Sequence, residues 1–342
     1  MHHVDSTTGS STAAQRLDAP ALACKLERTK SSAEAGFSIM TNHRPVAVIG
    51  LGAIGMGTAQ SLVRAGIETW GCDVRADAQA RFAAAGGRAA RNPAEAGRTA
   101  GTVILMVVNA AQARTALFGE DGLATTLAPD AVICLSVTMA PQDAVAIGGE
   151  LAARGLRMVD APTSGGAVRA ESGKTTYIVS GAQTDVAAAL YALEATSERI
   201  FRVGETVGQA MTVKTVHQLL AGVNIATSME AMALGMKMGV DPQVLFDVVS
   251  ACAGNSYMFQ NRVPHMLAGD YTPLSAVEIF VKDLGLVLDA GHAARMPLPI
   301  AAAAHQQYLA ASGSGYGNED DAAVIKVYAD LAGIALPQGK KA

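Results

Sequence analysis

Short apolar runs alternate with longer Ala-rich stretches over the first two-thirds of the chain. The runs have the length and β-branched content of buried strands, and they predict strands at 46–49, 68–73, 103–108, 131–137, 156–160, 175–180 and 199–203. The stretches between them favour helices, for example at 77–85, 112–117 and 143–154. Strands that alternate with helices in this way build a mostly parallel sheet covered on both faces. The pattern therefore predicts a doubly wound α/β domain of the Rossmann type.

The pattern changes after Gly208, because no further strand-like run occurs. Apolar residues recur at helical spacing up to Gly239, which predicts one helix of about thirty residues. Asp241 and Pro242 then supply an N-cap and a first-turn proline for the next helix. Further helices are predicted at 275–294, 299–311 and 320–331. This part of the chain is therefore predicted to be all-helical.

These patterns divide the chain into three segments. Residues 1–41 are rich in Ser, Thr and Ala without periodicity and predict a disordered extension, with Met40 as a candidate start. Residues 42–206 are assigned to the sheet domain and residues 207–337 to the all-helical domain, with the long helix joining them. A helix of this length bridges two domains or packs against another subunit. The long helix and the Ala/Met-rich helical domain offer larger apolar faces than one small domain can cover, so a homodimer or homotetramer is expected.

The first predicted strand runs without a break into a glycine-patterned turn and then a helix. The turn comprises Gly50, Leu51, Gly52, Ala53, Ile54 and Gly55. In such a turn the first glycine permits the bend, the second lets the backbone approach a pyrophosphate, and the third lets the helix pack closely on the strand. The N–H groups that open the helix point at the phosphates. The segment therefore predicts a dinucleotide-binding site.

Asp73 ends the second predicted strand and bears on which dinucleotide binds. A carboxylate at this place accepts the ribose 2′-hydroxyls and repels a 2′-phosphate. Arg75 lies two residues further on and tempers the preference, since a guanidinium can screen a phosphate. The predicted cofactor is NAD, with NADP as the less favoured alternative.

Composition narrows the range of partners. A net charge of −4 without a dense Lys/Arg cluster argues against nucleic acid and against an anionic membrane. No run is expected to be long and apolar enough to span a bilayer. The four cysteines are scattered and no histidine stands beside them at ligand spacing, so no metal site is predicted and a cytoplasmic protein is expected. A small molecule is the expected partner.

Candidate substrate groups follow the carboxyl ends of two later strands, where parallel sheets form their ligand crevice. Thr138 is placed to hydrogen-bond a nicotinamide or a substrate, and a turn residue is the alternative interpretation. Ser164, Gly165 and Gly166 form a turn that exposes backbone N–H groups suited to a carboxylate, and a plain turn is again the alternative.

Two lysines of the helical segment are further candidates. Lys214 lies among apolar residues of the long helix, with Gln218 one turn further on the same face, although most helical lysines are solvated surface charges. Lys282 precedes Asp283, and a surface ion pair is the alternative to a role in a site. A base that works near neutral pH needs a lowered lysine pKa, which burial and the like charge of a second lysine would both supply.

Four separated segments together resemble the β-hydroxyacid dehydrogenase family, which includes 3-hydroxyisobutyrate dehydrogenase and 2-hydroxy-3-oxopropionate reductase. They are the glycine turn at 50–57, Asp160–Gly166, Gly208–Gln218 and Lys282–Leu284. The resemblance implies hydride transfer between a hydroxy acid and a nicotinamide. It also implies that Lys214 is the catalytic acid/base, that Ser164–Gly166 hold the substrate carboxylate, and that Thr138 and Lys282 lie at the nicotinamide.

Two departures from the family pattern add polar groups. His217-Gln218 stand where the family usually has an asparagine, and Thr163 replaces the usual valine. With the segments 253–262, 270–273 and 315–321, these residues are most similar to the L-threonate dehydrogenase subgroup, whose substrates are four-carbon sugar acids. A polyhydroxylated substrate needs such donors and acceptors, so Gln218 is assigned to the substrate site. A polar interhelical loop is the alternative interpretation of residues 255–262.

The predicted function is NAD-dependent oxidation of a small hydroxy acid such as L-threonate. Reduction of 2-hydroxy-3-oxopropionate and oxidation of 3-hydroxyisobutyrate are the alternatives within the enzyme class. A non-catalytic NAD-binding module is the alternative outside it, and an imine reductase of the same architecture is a further rival. The presence of Lys214 argues against both of these.

Overall fold

The computed structural model describes residues 43–338, and the extension predicted at 1–41 lies outside the described residues. The described chain begins with a sheet covered by helices. Its strands are β1 (Val46–Ile49), β2 (Thr69–Cys72), β3 (Arg88–Ala89), β4 (Thr102–Leu105), β5 (Val132–Leu135), β6 (Arg157–Asp160), β7 (Thr163–Ser164), β8 (Thr175–Ser180) and β9 (Ser197–Gly204). Its helices are α1 (Ala53–Arg64), α2 (Ala76–Ala84), α3 (Pro93–Gly97), α4 (Ala110–Phe118), α5 (Pro141–Ala152), α6 (Gly166–Glu171) and α7 (Gln183–Ala195).

The strand order explains where a ligand crevice lies. The order is β3-β2-β1-β4-β5-β6-β8-β7, with β9 paired to β8. The strands from β3 to β6 are parallel, whereas β8 runs antiparallel to β6 and β7. The chain builds outward in opposite directions from β1 and β4, so the crevice opens at the carboxyl ends of these two strands. The predicted doubly wound, mostly parallel sheet is confirmed.

Apolar side chains fill both sides of this sheet. Strands β1, β4 and β5 are buried along their whole length, which explains why their sequences are continuous apolar runs. One core packs Phe82 and Leu62 against the sheet, and a second core packs Leu117 and Ile147 against the opposite face. The central strands therefore have a fixed position, and so do the residues that follow them.

The rest of the chain is helical, as predicted. It contains α8 (Gln209–Lys237), α9 (Pro242–Ala251), α10 (Tyr257–Ala268), α11 (Val277–Ala293), α12 (Pro299–Ala311) and α13 (Val324–Ala332). Helix α8 contacts each of the other five, and its buried residues share a third core with Phe259, Phe280 and Tyr308. The carboxylate of Asp241 caps α9 by accepting the N–H groups of Gln243 and Val244, as its sequence predicts.

Helix α8 corrects one expectation from composition. An 18-residue window of this helix has a mean hydropathy of 1.3, which by length and composition is enough to cross a membrane. Half of that window (50%) is buried inside the protein. Because α8 is the central helix of the helical segment, packing against its neighbours accounts for its apolar composition.

Two details of the secondary structure differ from the predictions, and one alternative interpretation fails for most of its residues. Residues 257–262 belong to α10, which Ser256 caps by accepting the N–H of Phe259 at 3.0 Å, so the interhelical loop that was the alternative interpretation is limited to residues 255 and 256. The strand predicted at 103–108 ends at Leu105. The last predicted helix starts with a 3₁₀ turn, Asp321–Ala323, before α13.

Exposed apolar side chains lie on α8 and α9. They include Val216, Leu220 and Leu234 of α8 and Val244 and Val248 of α9. The spacing of Val216 and Leu220, and of Val244 and Val248, places each pair on one face of its helix, and exposed apolar faces are typical of surfaces that contact another protein. The homodimer or homotetramer stays a prediction, and so does the domain boundary between residues 206 and 207.

A buried carboxylate fastens the first turn of α8 to the sheet. Asp160, at the end of β6, accepts the backbone N–H of Gly208 and the hydroxyl of Ser180, the latter at 3.1 Å. The Ser180 oxygen accepts the N–H of Ala210 at 2.9 Å. Burial raises the pKa of Asp160, and hydrogen bonds from the start of α8 oppose this rise. N–H groups that lack partners within the helix are thus paired with groups from β6 and β8.

We expect Asp160→Ala to lower the free energy of unfolding by about 2–4 kcal/mol, because the N–H of Gly208 and the hydroxyl of Ser180 lose their buried acceptor. Asp160→Asn keeps an acceptor oxygen and should cost less than half as much. Urea denaturation followed by circular dichroism measures both variants. Equal losses for Ala and Asn would show that the hydrogen bonds to Asp160 do not stabilise the fold.

Candidate active site

Two glycines of the turn between β1 and α1 have no room for a side chain, whereas a third has room for one. Gly50 has a φ of +93°, and a Cβ there would lie 2.3 Å from the carbonyl oxygen of Met106. A Cβ at Gly55 would lie 1.9 Å from the carbonyl oxygen of Gly50, so only glycine lets α1 pack on the turn. A Cβ at Gly52 would have no atom within 4 Å. The backbone at Gly52 therefore borders open space.

Asp73 and Arg75 lie beside this turn. The carboxylate of Asp73 accepts the N–H of Leu51 at 2.7 Å through Oδ2 and the N–H of Arg75 at 2.9 Å through Oδ1. The Arg75 guanidinium also donates to Oδ1 at 3.4 Å and to the Leu51 carbonyl at 3.3 Å. Carboxylate oxygens accept more than one hydrogen bond, so Asp73 keeps the capacity to accept a ribose hydroxyl.

A cavity of about 420 Å³ opens at the start of α1, where the sequence predicts a bound dinucleotide. Gly52, Ala53, Arg75 and Arg81 are among its lining residues. No side chain caps α1, so its first N–H groups are available to an anion. At the carboxyl end of β5, the buried hydroxyl of Ser136 has no hydrogen-bond partner among residues 43–338. The open glycine, the uncapped helix and the two arginines fit a pyrophosphate.

Lys214 is buried in the second turn of α8, with only 6% of its surface exposed. Its Nζ donates to the Thr163 carbonyl and to Gln218 Oε1, each at 2.8 Å. Burial lowers the pKa of Lys214 to about 8, Asp283 opposes the shift, and the positive charge of Lys282 adds to it. Lys214 is therefore not a solvated surface charge. Near neutral pH this side chain can both release and accept a proton.

Gln218 and Asp283 connect the two lysines. Gln218 Nε2 donates to Asp283 Oδ2, and Lys282 Nζ donates to Asp283 Oδ1. Lys282 Nζ also donates to the Thr138 carbonyl at 3.0 Å, which joins α11 to the segment after β5. Asp283 is 2% exposed, so Lys282-Asp283 is a largely buried pair and not the surface ion pair that was the alternative.

Ser164 of β7 joins the same cluster, and two glycines follow it in the chain. Ser164 Oγ lies 3.0 Å from His217 Nε2, and His217 Nδ1 lies 2.8 Å from Gln218 Oε1. Gly165 and Gly166 have φ values of +120° and +69°. Successive residues in such conformations can present backbone N–H groups to an anion. Burial and the charge of Lys214 lower the pKa of His217 to about 4, so its ring is neutral at physiological pH.

Residues far apart in the chain thus meet in one hydrogen-bonded cluster, which we call the lysine cluster. It consists of Thr138, Thr163, Ser164, Lys214, His217, Gln218, Lys282 and Asp283. The residues Gly50–Gly55 and Asp73 lie apart from it, at the β1–β2 part of the sheet edge. Neither His217 nor Asp283 is among the predicted site residues. Their signal in the sequence is their spacing from a lysine, since Asp283 directly follows Lys282 and His217 lies three residues after Lys214, on the same face of the helix.

The segments 253–262, 270–273 and 315–321 do not join the lysine cluster through any hydrogen bond of the described residues. They meet in a second polar cluster, where Arg262 Nε donates to the buried Asp321 at 2.5 Å and His265 Nδ1 lies 3.1 Å from Asp320 Oδ1. Asp320 also accepts the N–H of Leu274 and donates its own N–H to the Tyr271 carbonyl. These residues therefore hold α10, α11 and the last 3₁₀ turn together.

The doubly wound sheet, the open glycine turn and a buried lysine of lowered pKa define a nicotinamide-dependent dehydrogenase. Comparisons with known proteins agree. Residues 45–204 match the family described as NAD binding domain of 6-phosphogluconate dehydrogenase. Residues 208–328 match the family described as NAD-binding of NADP-dependent 3-hydroxyisobutyrate dehydrogenase.

Individual relatives cover nearly the same part of the chain. An L-threonate dehydrogenase of Cupriavidus necator is 51% identical over 86% of this chain and 98% of its own length. An L-threonate dehydrogenase of Escherichia coli K12 is 47% identical over 86% of this chain and 97% of its own. A crystal structure described as 3-hydroxyisobutyrate dehydrogenase from Salmonella typhimurium aligns with a TM-score of 0.79 at 46% identity, covering 82% of this chain and 99% of that one. The chain belongs to the β-hydroxyacid dehydrogenase family, as its four motifs predict.

Proposed function

We propose that this enzyme oxidises a four-carbon sugar acid such as L-threonate, with NAD as the hydride acceptor and Lys214 as the general acid/base. The observation that carries the proposal is the buried Lys214 ammonium, which donates two hydrogen bonds, one to the Thr163 carbonyl and one to Gln218 Oε1. The high identity to enzymes named L-threonate dehydrogenase supports the substrate class.

The surroundings of Lys214 leave one position of Nζ for chemistry. The Thr163 carbonyl and Gln218 Oε1 each accept one of its hydrogens. The third tetrahedral position carries a proton in the ammonium form and a lone pair in the amine form. During oxidation the amine takes the proton of the substrate hydroxyl, and in reduction the ammonium returns it. A bound nicotinamide would supply the acceptor for the hydride that leaves the carbinol carbon.

Two neighbouring groups position the reactants. We assign the substrate carboxylate to the backbone N–H groups of Gly165 and Gly166, beside Ser164. We assign Thr138 and Lys282 to the nicotinamide end, because the Lys282 ammonium and the segment after β5 meet there. With Gln218 holding Lys214, the carbinol carbon is expected between the lysine and the nicotinamide.

The substrate proposal is tested by initial rates with L-threonate, D-erythronate, D-glycerate and 3-hydroxyisobutyrate, each with NAD and with NADP. We expect the highest kcat/KM with a four-carbon sugar acid and NAD, because the lysine cluster offers polar partners that a methyl group cannot use. If 3-hydroxyisobutyrate alone is turned over, the proposed substrate class is wrong.

The role of Lys214 is tested by Lys214→Ala. Turnover should fall by roughly 10²–10⁴-fold, the usual contribution of a general acid/base, while calorimetry should show unchanged NAD affinity. In the unaltered enzyme, kcat/KM for oxidation should rise with pH and level off above about 8, where the amine predominates, and reduction should decline over the same range.

Lys237→Ala is the matched control, because this lysine lies at the far end of α8 and donates to the Ala332 carbonyl. It should keep the full rate and the same pH profile. A Lys214→Ala enzyme that retains a near-normal rate would exclude the proposed mechanism.

We propose that Asp73 sets the preference for NAD, and Asp73→Asn tests this. Asparagine keeps an acceptor for the Leu51 N–H but removes the negative charge. The ratio of kcat/KM with NADP to that with NAD should rise roughly tenfold, since one unit charge near a phosphate is worth about 1 kcal/mol or more. Asp289→Asn, the same change at an exposed position of α11, is the control. An unchanged ratio in Asp73→Asn would place the discrimination elsewhere.

A further inference from the structure

The direction of each hydrogen bond from Asp283 to Ser164 follows from the donors and acceptors. Asp283 can only accept, so Gln218 turns its amide nitrogen to Asp283 and its oxygen to Lys214 and His217. An amide oxygen can only accept as well. His217 Nδ1, 2.8 Å from that oxygen, must therefore carry the ring proton.

The tautomer of His217 decides the orientation of Ser164. Burial and the Lys214 charge keep the pKa of His217 low, so the neutral ring has a single proton, and that proton is on Nδ1. His217 Nε2 is then an acceptor, and the Ser164 hydroxyl at 3.0 Å must donate to it. With its hydrogen engaged, Ser164 Oγ offers only lone pairs to a ligand.

A lone pair accepts a hydrogen bond, which a substrate hydroxyl can donate and a substrate carboxylate cannot. A carboxylate beside Ser164 Oγ would therefore place two acceptors against each other, whereas a substrate O–H could donate to Oγ. Lys214 donates to the carbonyl of Thr163, the residue directly before Ser164 in the chain. Both side chains are therefore within reach of one small molecule, so a substrate with two hydroxyls can donate one to Ser164 Oγ and present the other to Lys214.

We propose that His217 is a specificity-determining residue, which fixes the Ser164 hydroxyl as an acceptor for a second, non-reacting hydroxyl group of the substrate. This inference rests on the proposed oxidation of a polyhydroxylated acid and deepens it. It leaves the carboxylate to the N–H groups of Gly165 and Gly166. His217 acts through Ser164 and is a positioning residue in this scheme.

Acids with two hydroxyls and acids with one hydroxyl are expected to bind this site differently. An acid with a second hydroxyl completes the hydrogen-bond chain from the substrate through Ser164 and His217 to Gln218. An acid with one hydroxyl leaves the Ser164 lone pairs without a donor in the closed site, and buried polar groups left in this state penalise binding. Removing the acceptor at position 217 frees the Ser164 hydroxyl to turn, so discrimination between the two acids should fall.

The test compares His217→Leu and Ser164→Ala with the unaltered enzyme. For each protein, kcat/KM is measured for L-threonate, and 2-hydroxybutyrate and 3-hydroxybutyrate are measured as substrates or as competitive inhibitors. We expect His217→Leu to lower kcat/KM for L-threonate by on the order of ten- to a hundredfold, with little change for the monohydroxy acids. The double variant should lose no more than the larger single loss, since both residues act through one hydrogen-bond chain.

Two controls exclude a merely structural effect. His292→Leu makes the same chemical change at an exposed position of α11 and should alter neither kind of substrate. NAD affinity and the pH profile of His217→Leu should match those of the unaltered enzyme. Equal losses for L-threonate and the monohydroxy acids, or an unchanged preference, would overturn the inference. A lack of L-threonate turnover by the unaltered enzyme would instead contradict the proposed function.

Discussion

The place of Lys214 in the site depends on the buried carboxylate of Asp160. This group ends β6 and accepts the N–H of Gly208, while its partner Ser180 accepts the N–H of Ala210. From that point α8 continues for 29 residues, and Lys214 lies within its first two turns. A helix is stiff over such a short distance, so holding its first turn on the sheet also holds the lysine. Farther along, α8 packs on α11, which returns Lys282 to the Thr138 carbonyl. The sheet and the helical segment are therefore joined on two sides of the proposed reaction centre.

Within that frame, the charges explain why a lysine can serve as a base here. Two ammonium groups, Lys214 and Lys282, share the single carboxylate of Asp283, directly for Lys282 and through Gln218 for Lys214. A direct ion pair with Asp283 would stabilise the protonated form of Lys214 and keep its pKa high. Placing the neutral amide between them weakens that attraction, and burial then lowers the pKa to about 8. The same arrangement leaves Lys282 in a direct ion pair with Asp283, so the two lysines have different environments although they belong to one cluster.

Sequence patterns predict those parts of the molecule whose signals are local. The continuous apolar runs of β1, β4 and β5, the glycines of the turn after β1 and the Asp241 cap of α9 each follow from a few adjacent residues. The antiparallel direction of β8 and the two-residue strand β7 depend on where the chain returns to the sheet. The local spacing of apolar residues does not specify this. In the site, Lys214 and Gln218 can be paired by helical spacing. The Thr163 carbonyl that holds Lys214 has no side-chain signature, because any residue at position 163 would supply it. The polar segments near Arg262 and Asp321 show the opposite error, since side chains that suggest a ligand instead pair with each other.

Gln218 is the residue that makes these separate requirements compatible. Its amide has one end that only donates and one that only accepts, so fixing the nitrogen on Asp283 dictates what the oxygen receives. The oxygen takes a hydrogen from Lys214 and another from His217, which sets the base and the histidine tautomer with a single side chain. Glutamine is one methylene longer than the asparagine usual in the family at this turn, and it spans from α8 to α11 while keeping both contacts. A carboxylate here would pair with Lys214 and raise its pKa, and it would repel Asp283. The proton chemistry at Lys214 and the orientation of Ser164 therefore both depend on a neutral group at position 218.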